Sequence, residues 1–167
     1  QVYGGGEKSV NLQMPVEECG NMILMTAALT RGHGHLDYVR KWWPLLSQWA
    51  EFLCEKGFDP ERQLCTDDFA GRLAHNANLS IKAILAIGAY ADLCNRLGLS
   101  DDARRFRAAA EQMVQAWTSA ARDPNGRASA DGRAPDRLSD NGHYRLAFNR
   151  PGTWSMKYNL IWDQLRD

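Results

Sequence analysis

Gln63–Lys82, QLCTDDFAGRLAHNANLSIK, changes character halfway along. A polar, turn-like segment gives way to a strongly apolar helical run. Asp67, Asp68, His75, Asn76 and Asn78, all able to do chemistry, fall within twelve consecutive positions. A helix cannot easily shelter TDDFAGRLAHN on its core face. A loop at the mouth of a cavity can, and loops held by rigid helices are where binding and catalytic groups gather.

Downstream, a helix begins at Asn76 or Asn78 and runs to Leu97. Leu79, Ile81, Ala83, Ile84, Leu85, Ile87, Gly88 and Ala91 make it apolar on most sides, and Gly98 ends it. Upstream, Leu36–Lys56 carries Val39, Trp42, Trp43, Leu46, Trp49, Ala50 and Leu53 at helical spacing, with both adjacent tryptophans read as core. Pro44 is expected to kink this helix by removing one hydrogen bond, and Gly57 reads as its left-handed cap. Before it, Met14-Pro15 opens the first helix, since Pro at the first helical position gives up no needed N–H. Glu17 and Glu18 fall in its first turn, where the dipole favours anions. Cys19, Met22, Ile23, Met25, Thr26 and Leu29 follow, and Arg31-Gly32-His33-Gly34 stops it. A fourth helix, Asp102–Ala121, is capped by Ser100 or Asp101 and shows a narrower stripe of Phe106, Ala109, Ala110, Met113 and Trp117.

Rods apolar nearly all round therefore alternate with amphipathic ones across short loops. The first kind belongs inside a structure, and the second wets one face. This alternation predicts an all-α fold of antiparallel helical hairpins in two concentric rings, with apolar helices inner and amphipathic helices outer. Arg122–Gly142 breaks the pattern: Pro, Gly, Asp and Asn throughout mark residues 122–142 as a long loop or insertion. His143–Phe148 reads as a short extended piece, and Trp154–Leu165 as the start of a fifth helix.

A length of 167 residues suits one domain, and residues 1–167 are read as a single helical-hairpin unit. Lys+Arg and Asp+Glu balance at 20 each, which speaks against a nucleic-acid or anionic-membrane partner. No apolar run near the length of a bilayer span is evident, so no membrane is expected. The N-terminal QVYGGGEKSV lacks the basic and apolar parts of a signal peptide and begins without Met, as a processed or truncated product would. Cys19, Cys54, Cys65 and Cys94 form no C-x-x-C pair, so they read as buried thiols rather than zinc ligands. His33 and His35 lack companion ligands and read as solvated turn residues. No metal and no cofactor is expected.

The candidate chemistry lies in two carboxylate doublets, Glu17-Glu18 and Asp67-Asp68. Each stands at or just before the start of an apolar helix, so both can share one end of the inner ring, with one member of each doublet inward. Facing carboxylates divide into acid and base when their surroundings separate their pKa values. Against this stands the ordinary use of acids as helix caps and loop anchors. Asn21, His75, Asn76 and Asn78 offer ligand contacts or, equally, caps. Thr66 is the plausible hydroxyl nucleophile of the stretch, but no partner motif accompanies it. Trp154 and Tyr158 can stack on a ligand or pack in the core, and Lys157 can meet a carboxylate.

MPVEECGNMILMTAA (Met14–Ala28), LCTDDFAGRLAHNANLSIKAI (Leu64–Ile84) and HYRLAFNRPGTWSMKYNLIWDQL (His143–Leu165) resemble the helical domain of the glutaminase A family. The resemblance implies part of an (α/α)6 toroid, like those of many glycosidases, and hydrolysis of L-glutamine to L-glutamate and ammonia. It implies a small-molecule substrate, with water activated by Asp67, Asp68, Glu17 or Glu18. Asn76, Asn78 or backbone N–H groups would hold the oxyanion, and Lys157 or Arg72 the substrate carboxylate. Position 72 is more often His in the resembling motif. Family members are typically exported, and Cys19 and Cys65, one in each of two motifs, are an optional bridge. A glycoside hydrolase with paired carboxylates acting on a sugar, and a non-catalytic helical scaffold, are the other readings. Four and a half helices do not close a ring of six hairpins. The remaining helices are therefore expected from the same full-length protein or from another chain, since bare apolar rods are otherwise avoided.

Overall fold

A computed structural model describes residues 13–34, 36–66, 71–123 and 142–164, with the backbone alone at 32 and 33. The elements are α1 (Pro15–His33), α2 (Leu36–Lys56), α3 (Ala77–Leu97), α4 (Ser100–Ala121), a two-stranded ribbon of β1 (Arg122–Asp123) and β2 (His143–Tyr144), a 3-10 turn (Tyr158–Leu160) and α5 (Ile161–Gln164). The fold is all-α, as the alternating pattern requires.

Contacts at both ends of each helix pair fix the directions. Glu17 of α1 meets Lys82 near the start of α3, and the Arg96 guanidinium near the end of α3 donates to Thr30 O of α1 at 2.8 Å. The apolar helices α1 and α3 are therefore parallel, with their N-termini at one end. The amphipathic helices run against them. Ser47 of α2 shares a 2.7 Å hydrogen bond with Tyr90, Arg107 of α4 pairs with Asp92, and the Trp117 indole N–H donates to Ala77 O at 2.8 Å. Such up-and-down hairpins place two apolar helices side by side with their partners behind them.

The core gathers on α3. Tyr90 stacks on Trp43 (4.9 Å between centroids) and meets Phe106 edge-on (4.6 Å), among Ile23, Leu46, Leu53 and Ile87. By length and composition α3 is apolar enough to cross a membrane, contrary to the expectation from sequence. Yet 89% of its most apolar window is buried against the other helices, as a core helix requires.

Several local expectations are corrected. Gly57 is not among the glycines with positive φ. A Cβ there would lie 2.5 Å from Ala83 Cβ and 2.5 Å from Leu53 O, so Gly57 serves the close approach of α2 to α3. The left-handed caps are Gly34 (φ +64) and Gly98 (φ +78). The residue before α4 is Leu99, without a side-chain cap, not Ser100 or Asp101. The helix expected to start at Trp154 begins only at Tyr158, because Thr153–Lys157 is irregular: the Lys157 ammonium bonds Ser155 O (2.8 Å) and Ser155 Oγ (2.9 Å). Trp42 is exposed while Trp43 packs; neighbours on a helix lie about 100° apart and cannot share one stripe. All four cysteines are free thiols, so no Cys19–Cys65 bridge forms. Met22, Met25 and Leu29 of α1, with Tyr38, Trp42 and Leu45 of α2, form an exposed apolar flank, although α1 reads as apolar and interior.

The segment after β2 is stitched over the N-terminal end of α3. Ala77 N–H donates to Leu146 O (3.0 Å) and Phe148 N–H to His75 O (2.9 Å). Buried Asp123 accepts from Gly152 N–H at 2.6 Å and pairs with Arg145 at 3.4 Å. This lashing carries Tyr158 to the site.

Candidate active site

α1 presents Glu17 in its first turn, on the side facing α3. The opposing residue is Lys82, and Gly20 makes room for it: a Cβ at Gly20 would lie 2.8 Å from Lys82 Cγ. The two charges form an ion pair with side chains only 1% and 3% exposed. Lys82 Nζ also lies 5.7 Å from the centre of the Trp162 ring, within cation–π range. Burial pulls the Lys82 ammonium down to about 8, and the contacting carboxylate favours its charged form.

Above the pair sits the loop that precedes α3. Thr66 Oγ1 donates to Glu17 Oε1 at 3.3 Å, and Thr66 N–H points to Oε2 at 3.5 Å. Thr66 Oγ1 lies 2.9 Å from Tyr158 Oη. Gln63 Oε1 accepts the Val16 N–H at 3.0 Å, which ties the same loop to the start of α1. A polar chain therefore leads from Lys82 through Glu17 and Thr66 to Tyr158, from the dry interior to the rim, where Thr66 is exposed.

The remaining candidates fall into place around it. Asp67 and Asp68 lie outside the described residues. Glu18 is exposed, so Glu17 is the inward member of its doublet. Asn76 caps α3: its Oδ1 accepts from Asn78 N–H (2.9 Å) and Leu79 N–H (3.0 Å), and its Nδ2 reaches Cys65 Sγ at 3.4 Å. Asn78 Oδ1 accepts from Asn159 N–H at 3.2 Å, and Asn159 Nδ2 donates back to Asn78 O at 2.9 Å. Both are fully buried, so they support the loop rather than face a ligand. Asn21 Oδ1 is buried without a hydrogen-bond partner among the described residues.

His75 adopts a left-handed conformation (φ +61), and its Nδ1 lies 2.7 Å from Asp59 Oδ1. Arg72 is exposed, and so is Trp154. Lys157 and Leu160 border a cleft of about 270 Å³ walled by Ile81, Ile84, Trp117 and Tyr144. Sequence reasoning passed over Lys82. Its one signal is a lone cation inside LSIKAILAIGAYA, where every neighbour at helical spacing is apolar or small. Among the described residues no three His, Cys, Asp or Glu side chains gather as a metal site.

Residues 3–167 match the family model of the glutaminase A six helical-hairpin domain. The chain is 32% identical over 160 residues to Glutaminase A of Aspergillus oryzae, covering 96% of this chain and 21% of that protein. It is 31% identical over 208 residues to a probable glutaminase of Arthroderma benhamiae, covering 91% of this chain and 22% of that one. The chain thus spans about a fifth of the length of these curated relatives. No solved structure matches.

Proposed function

Since the chain belongs to the family of glutaminase A six helical-hairpin domains, we propose that it forms part of an amidohydrolase converting L-glutamine and water to L-glutamate and ammonia. The observation that carries this reading is the Glu17 carboxylate, buried beside a cation and joined to the rim by hydroxyls. A carboxylate so placed can accept the proton that an attacking water must lose. Asp67 and Asp68 stand as further candidates beside Thr66 in sequence. Arg72 or Lys157 anchors the substrate carboxylate. The names of the relatives support the substrate class.

The partner is the rest of the ring. The exposed flank of α1 and α2 is the kind of surface that further helices cover, and relatives of nearly five times the length have chain enough to supply them. The test is ammonia release from L-glutamine by the full-length protein carrying this domain, set against sugar release from aryl glycosides. Ammonia release lost in Glu17→Gln is the expected result. Sugar release without ammonia release overturns the reading.

A further inference from the structure

Glu17 and Lys82 face each other in the interior, their side chains 1% and 3% exposed. Segments from across the chain converge on the pair. α1 supplies Glu17 and also Gly20, whose lack of a side chain leaves the space that Lys82 Cγ fills. α5 lays the Trp162 ring 5.7 Å from the ammonium. The loop before α3 sets the Thr66 hydroxyl and N–H on the carboxylate oxygens, at 3.3 and 3.5 Å. Of the other titratable groups described here, Tyr158 stands beyond the Thr66 hydroxyl and Glu18 is exposed on α1. A carboxylate taken out of water keeps its charge when it is paired, and otherwise binds a proton. Unpaired in this setting, Glu17 would hold a proton already and could not accept another. Lys82 itself stays charged at neutral pH, since burial lowers it only to about 8.

We propose that Lys82 is a positioning residue for the hydrolysis: its ammonium keeps the sealed Glu17 carboxylate ionised and turned toward Thr66, ready to receive a proton. Lys82 acts through Glu17 and touches no substrate. This rests on the hydrolase reading above and deepens it, because the ion pair then sets the lowest pH at which the site works. In the step it serves, the water oxygen bonds to the amide carbon and one water proton ends on Glu17. That proton leaves with the amine as ammonia when the C–N bond breaks, which restores the ion pair. The product acid sheds the other water proton to solvent.

The test uses the full-length protein carrying this domain, with L-glutamine. In Lys82→Met the acid limb of kcat/KM is expected to move up by about one pH unit or more, because Glu17 then holds its proton to higher pH. A residue that only filled space would lower activity at every pH and leave the limb in place. A second readout needs no activity. In Lys82→Met the folded Glu17 binds its proton more tightly than the unfolded chain does, so stability is lost as pH rises above the ordinary carboxylate range. The melting deficit of Lys82→Met against wild type should therefore shrink as pH falls from about 7 to about 5. An unmoved acid limb, or an equal deficit at both pH values, overturns the proposal. Because Lys82→Met alone can fail to fold, Glu17→Leu/Lys82→Met is made beside it. That variant is expected to fold and to lose kcat as fully as Glu17→Gln. Normal kcat in it overturns the proposal. So does its failure to fold, since Lys82 would then be needed for more than the charge of Glu17. A wild-type protein inactive on glutamine overturns the hydrolase reading, and the paired melting curves then decide on their own whether Lys82 holds the charge of Glu17.

Discussion

Lys82 and Glu17 stand 65 positions apart in sequence and close on each other between two parallel helices, both side chains almost wholly buried. Breaking such a pair strands a charge, whereas replacing both members with apolar groups removes the problem. Lys82→Ala is therefore expected to cost about 3–5 kcal/mol, and Glu17→Leu/Lys82→Met to be neutral or stabilising. Urea unfolding decides this. A single substitution costing under about 1 kcal/mol would mean that the pair is open to water.

Asn76 satisfies two N–H groups at the head of α3. Asn76→Ala should lower stability by about 1–2 kcal/mol. Chemical denaturation would read it.

Two glycines should respond to alanine for different reasons. Gly57→Ala forces a methyl against Ala83 and the Leu53 carbonyl, an overpacking worth about 1–3 kcal/mol or more. Gly98→Ala meets open space and should cost only about 1–2 kcal/mol, from its left-handed backbone. Melting of the pair of variants separates the effects. A loss under about 1 kcal/mol for Gly57→Ala would show that α2 and α3 stand farther apart.

Burial pushes the thiols of Cys19, Cys54 and Cys94 up to about 11 from an ordinary 9.0. At pH 8 their thiolate fraction, and hence alkylation, should be roughly 100-fold below that of an ordinary thiol, rising as pH climbs toward 11. The linkage has a sign. Between pH 9 and about 11 the unfolded chain has released protons that the folded chain still holds, so stability falls as pH rises through that window. Iodoacetamide labelling followed by mass spectrometry measures the first effect, and alkaline unfolding the second.

The helices were readable in sequence because periodicity reports directly on which faces meet protein. LSIKAILAIGAYA can only be interior, and the Asn and Gly at its ends mark its limits. Trp154 and Tyr158, by contrast, share helical spacing without sharing a helix, because Lys157 folds back on Ser155. Gly57 matches a left-handed cap in composition while answering to a neighbour 26 positions away, Ala83, which no local rule contains. The site divides in the same way. Glu17 was visible as one of a doublet at a helix start. Its partner was not, since a lone Lys on an apolar rod gains meaning only when another helix lies against it.

The row of thioether, indole and phenol groups at Met22, Met25, Tyr38 and Trp42 has a practical consequence at the bench. Handled alone, this polypeptide is expected to lose material by sticking to itself rather than by melting. Turbidity should follow protein concentration and added sulfate at temperatures where circular dichroism is still unchanged.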